Sequence, residues 1–143
     1  MIYRSRILSL LILFTLPIVL PSQTVNKTFS KSFNTEEKGI VRIDLPGAID
    51  VKIWDNPTIR FEINVGLPSG NISMLNELAN VGRYNLSSKS VEGEDVMVIA
   101  APNLQKQVKI KGEALHENVS YTVFVPKNMA IELPNAVSMA DKK

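Results

Sequence analysis

The chain has 143 residues, 16 basic and 14 acidic side chains, a formal net charge of +2, and no cysteine. Without cysteine it has no disulfide staples, thiolate metal sites or cysteine nucleophile. The small positive surplus is Arg4 and Arg6, so the chain after residue 22 is neutral. It shows no basic cluster of the kind that nucleic acid or an anionic membrane requires.

Residues 1–22 read as an export signal. Arg4 and Arg6 lead into ILSLLILFTLPIVL at 7–20, and Pro21-Ser22-Gln23 closes the run with small and polar groups. A spanning helix needs roughly 20 apolar residues, and Pro17 interrupts this shorter run, which argues against stable membrane insertion. Lipid anchoring would need a cysteine at the cleavage point. The expected location is exported, periplasmic or extracellular.

Residues 23–37 are polar, with weak alternation over 28–33 that fits an edge strand. The pattern then sharpens into a β domain over 38–133. Val41, Ile43 and Leu45 alternate with Arg42 and Asp44. After Pro46-Gly47, Ile49, Val51 and Ile53 alternate with Asp50, Lys52 and Trp54. After Asp55-Asn56-Pro57, the apolar face is Ile59, Phe61, Ile63 and Val65. Ile72, Leu75 and Ala79 fit one short helix over 71–80, capped by Asn71 or Ser73.

Further strands are expected near 84–88, over the continuous apolar run 96–101, near 108–110, over 119–125 and over 129–133. About eight strands and at most one helix make the class mainly β: an antiparallel meander or a two-layer β fold. Residues 134–143 are a polar tail. A sheet that stops at 133 is expected to expose an edge unless another chain, a loop or the tail covers it, and self-association through that edge is the expectation.

Two stretches, GIVRIDLPGAIDVKIWDNPTIRFEINV at 39–65 and YTVFVPKNMAIEL at 121–133, resemble the secreted putative-adhesin domains of Bacteroidetes, described as auto-transporter adhesin head domains. Val125-Pro126-Lys127-Asn128 matches that family's turn, and Pro46-Gly47-Ala48-Ile49-Asp50 resembles its early strand connection. The resemblance implies the start of a β-helix-like stack and an adhesive role. It brings no catalytic residues. The glycine-rich rungs that follow in the family are missing after Leu133, so the chain corresponds to the family's opening portion.

Catalytic constellations are thin. His116 is the sole histidine and reads as an exposed loop residue. Asp44 and Asp50 fall on outward positions of consecutive strands, and such a carboxylate pair is what glycoside hydrolysis needs. Polar sheet faces supply such pairs routinely. No nucleophile elbow, phosphate loop or calcium loop occurs, and no cofactor is expected.

Trp54, beside Asp55 and Asn56, is the candidate binding surface, because an outward tryptophan stacks on a sugar or anchors a protein. Phe124 is out of phase in the same way, so both residues are also candidates for packing into a second layer. Asn26, Asn71, Asn85 and Asn118 each open an Asn-x-Ser/Thr triplet, but the bacterial look of the signal argues against glycans there. The favoured function is a noncatalytic exported module engaging a protein or glycan at the cell surface. The alternative is a secreted hydrolase or hydrolase accessory domain.

Overall fold

A computed structural model describes residues 23–134. The expected signal segment and nearly all of the polar tail lie outside the described residues. The strands are β1 (Val25–Asn34), β2 (Ile40–Asp44), β3 (Ala48–Trp54), β4 (Thr58–Leu67), β5 (Ser87–Ser90), β6 (Val96–Ala100), β7 (Lys109–Ile110), β8 (Glu113–Ala114), β9 (Asn118–Pro126) and β10 (Ala130–Glu132). The helix α1 spans Ile72–Asn80 between β4 and β5. Among the described residues no helix is long and apolar enough to cross a membrane.

The protein is mainly β, and its strands form two four-stranded sheets plus the small β7–β8 hairpin. Sheet A runs β1-β4-β9-β3 and sheet B runs β10-β2-β6-β5. The two-layer alternative therefore describes the fold, and the meander does not. The consecutive strands β2, β3 and β4 do not pair with one another. β2 crosses to the other sheet at Pro46-Gly47, and β9 separates β3 from β4.

Three of the pairings are parallel: β3 with β9, β2 with β6, and β10 with β2. The short β2–β3 and β9–β10 connections both pass from one sheet to the other. They set the edge strands β3 and β10 at the same end of the sandwich. Strand β1, read from sequence as an edge strand, forms the opposite edge of sheet A.

The core lies between the sheets because the period-2 apolar rows all face it. Val41 and Ile43 of β2, Ile59 and Phe61 of β4, Ile99 of β6, and Val123 and Val125 of β9 are fully buried. Strand β6, read as covered on both faces, buries Met97 and Ile99 and leaves Val98 and Ala100 partly exposed on the outside.

Helix α1 starts where Asn71 Oδ1 accepts the Met74 N–H at 2.8 Å. It buries Leu75 and Leu78, whereas Ile72 is exposed. It ends in a left-handed turn at Gly82 (φ 79°). There Gly82 N–H donates to the Ala79 carbonyl and Arg83 N–H to the Leu78 carbonyl, both at 2.9 Å. This stop redirects the chain and carries Arg83 and Tyr84 inward.

Candidate binding surface

The strand registers align the outward side chains of sheet A into rows. Thr28, Asn64, Ser120 and Ala48 form one row, and Ser30, Glu62, Thr122 and Asp50 the next. Ser32, Arg60, Phe124 and Lys52 form the third. The result is a broad face of hydroxyls and amides with balanced charge. Thr28 donates to Asn64 Oδ1 at 2.7 Å, Arg60 Nε donates to Ser30 at 3.2 Å, and Arg60 lies 3.2 Å from Glu62. A shallow open depression of about 400 Å³ marks one end of this face, lined in part by Asn26, Thr28, Asn64, Asn118 and Ser120.

Trp54 occupies the opposite corner. Its ring lies 5.3 Å from that of Phe124, tilted by 39°, and Lys52 Nζ sits 5.7 Å from the Phe124 centroid. Both aromatic side chains are half-buried against each other on the outer face of sheet A. They do not fill the second layer expected of them, because sheet B packs on the other face, where Ile49 and Val51 point.

The indole N–H of Trp54 donates to the Thr58 carbonyl at 2.8 Å, which fixes the ring. Asn56 Oδ1 accepts from Thr58 N at 3.1 Å and from Thr58 Oγ1 at 2.9 Å, closing the β3–β4 turn. Asp55 pairs with Lys127 on the surface. Of the three expected residues, Trp54 presents contact area, whereas Asn56 and Asp55 hold its turn.

The other sequence candidates disperse. Asp44 points outward from sheet B and Asp50 outward from sheet A, so the carboxylate pair considered for hydrolysis lies on opposite surfaces of the sandwich. Alternation alone put both residues outward. The sheet crossing at Gly47 separated them. His116 is exposed in the β8–β9 connection, at the rim of a 250 Å³ depression between α1 and the β7–β8 hairpin. Among the described residues no three histidine or carboxylate side chains converge.

Sequence reading missed the polar cluster inside the sandwich. Arg83 and Glu117 pair with side chains 9% exposed each, and Arg83 Nε donates to Glu117 Oε1 at 3.0 Å. Arg83 Nη1 donates to the Lys106 carbonyl at 2.7 Å and also to that of Asn103. Tyr84 donates to Glu117 Oε2 at 3.0 Å. The Tyr121 hydroxyl is buried without a partner among the described residues. Burial, and then the negative charge of Glu117, push Tyr121 up to about 12. Tyr84 rises for the same reasons, reinforced by its hydrogen bond. The cluster ties the α1–β5 and β6–β7 connections to the β8–β9 connection at the start of β9. Its sequence signal is faint: an arginine just after the helix-ending glycine, and a glutamate in a loop.

No family profile and no curated protein matches the chain. A solved structure described as "a putative cell adhesion protein from Clostridium sporogenes ATCC 15579" aligns with a TM-score of 0.39 at 10% identity. The alignment covers 76% of this chain and 46% of that one, so the chain spans about half that protein's length. A likeness this distant carries neither fold nor role.

Proposed function

We propose that the chain is an exported, noncatalytic binding module that receives a neutral, hydroxyl-rich ligand, a glycan of a cell surface, on the outer face of sheet A. The observation that carries this reading is Trp54, held by its indole N–H at the corner of a flat field of serine, threonine and asparagine side chains. An aromatic ring of fixed orientation on the same sheet face as such groups suits stacking on a sugar, with hydrogen bonds to its hydroxyls. Export rests on the residue 1–22 pattern, and the resemblance to secreted adhesin domains points the same way. The hydrolase alternative has lost its candidate carboxylate pair with the separation of Asp44 and Asp50.

Trp54 is the sole tryptophan, so intrinsic fluorescence reports on this face directly. Titration with cellohexaose, chitohexaose and soluble peptidoglycan fragments is expected to shift the emission for at least one of them. Trp54→Ala is expected to weaken retention on the matching polymer by about tenfold, the equivalent of ~1.4 kcal/mol, with the circular dichroism spectrum unchanged. Unchanged emission with all three, together with no retention on chitin, cellulose or peptidoglycan, overturns the reading.

A further inference from the structure

Strand β3 ends sheet A, and β9 is its only strand partner among the described residues. On its inner face Ile49 and Val51 are only partly buried and Ile53 is 56% exposed, whereas the equivalent residues of β4 and β9 are buried. Below it, at the same end, sheet B finishes in the three-residue β10, where Ile131 and, just after the strand, Leu133 are also only partly covered. Among the described residues the apolar layer thus runs out to a backbone edge that no strand closes. Such an edge is a template for another strand.

The sequence of β3 identifies that strand. Two copies related by a twofold axis normal to the sheet pair antiparallel, with directly opposed residues on the same face. Each allowed register therefore centres on one residue facing its own copy. Centred on Val51, Ala48-Ile49-Asp50-Val51-Lys52-Ile53-Trp54 is self-complementary. Asp50 meets Lys52 of the second copy and Lys52 meets its Asp50. Ile49 meets Ile53 on the inner face, and Ala48 leaves room for Trp54 on the outer.

Centring on Asp50 or on Lys52 sets like charges directly opposite, which is destabilising. Among the described residues Asp50 has no ion pair within its own chain. We propose that β3 is a self-recognition edge, through which two copies pair antiparallel in the register centred on Val51 and continue sheet A across the twofold axis. The inference stands apart from the glycan reading. A chain that dimerises and binds no sugar overturns only the latter, and a monomer that binds sugar only the former.

The test is sedimentation equilibrium of the full chain, alongside Asp50→Lys, Lys52→Asp and the combined exchange. Wild type is expected to show a concentration-dependent dimer. Each single reversal turns both symmetry-related attractions into repulsions and is expected to weaken the dimer by about tenfold, while the combined exchange restores it. The chain lacks cysteine, so Val51→Cys offers a unique cross-link. Cα atoms opposed across antiparallel strands lie within disulfide reach, and oxidation is expected to give a covalent dimer. A monomer throughout the concentration range overturns the proposal. So does association indifferent to both single reversals, the behaviour expected of self-association through residues 7–20.

Discussion

Glu117 receives hydrogen bonds from both Arg83 and Tyr84 in a place where water hardly reaches. Removing one member of a buried pair strands the other charge, which costs about 3–5 kcal/mol, more than the intact pair is worth. Glu117→Leu is therefore expected to lose about that much in urea unfolding. The double variant Arg83→Met/Glu117→Leu is expected to recover most of it, apart from what the Asn103 and Lys106 carbonyls forfeit.

Tyr121 and Tyr84 together carry the alkaline pH dependence, since both are raised by burial and by the charge of Glu117. The folded pKa of Tyr121 is raised above the unfolded value of 10.0 to about 12, so the folded state holds its proton longer. This stabilisation is fully present below pH 10 and is lost as pH rises from 10 to 12. In urea midpoints measured from pH 8 to 12, Tyr121→Phe is expected to make the alkaline fall about half as steep, the remainder being that of Tyr84. At pH 7 the same variant is expected to gain up to about 1 kcal/mol by removing an unpaired buried hydroxyl.

At the level of elements, the β2–β3 crossing depends on one residue. Gly47 has φ 102°, and a Cβ there would lie 2.3 Å from the carbonyl oxygen of Val119 in β9. Both the conformation and the close backbone approach exclude a side chain. Gly93 also has positive φ, 76°, but nothing lies within 4 Å of the position its Cβ would take. Gly93→Ala is therefore expected to cost about 1 kcal/mol and Gly47→Ala about 3 kcal/mol or more, read as shifts in denaturant midpoint at constant slope. The contrast separates conformational strain from the steric lock between β3 and β9. Helix α1 was read from its sequence at nearly its observed bounds, because Asn71 caps it and its apolar spacing is helical. That spacing chose Ile72 as an inward residue, but the buried stripe runs through Leu75 and Leu78. Periodicity gives the width of an amphipathic face and leaves its rotation to the surface it meets.

Over the whole molecule, two mixed sheets enclose one core, and their polar outer faces point in opposite directions. That arrangement gives the outer face of sheet A its breadth, with four strands drawn from both ends of the described chain. It also leaves β3 and β10 together at one end. A twofold pairing along β3 would set the two Trp54 corners on opposite sides of the axis, each facing Ala48 of the other copy, and join the two outer faces into a single surface. The oligomeric state of the chain, which the charge-reversal series reads, therefore bears directly on how much surface a polymeric ligand meets.

The sequence by itself determined which residues turn inward along β2, β3, β4 and β9, where the turns between β2, β3 and β4 fall, and that the class is mainly β. Alternation of period two, Pro-Gly and Asp-Asn-Pro breaks, and the helix cap are local properties that neighbouring residues settle among themselves. It also put Trp54 and Phe124 correctly on the side away from the apolar rows. Only the tertiary structure decided which strands pair. β9 lies between β3 and β4, β2 lies between β6 and β10, and Asp44 and Asp50 are carried to opposite surfaces. Arg83 and Glu117 likewise meet from positions 34 residues apart. Strand pairing is a long-range choice, set by how two apolar faces close over one core, and no local pattern in the chain encodes it.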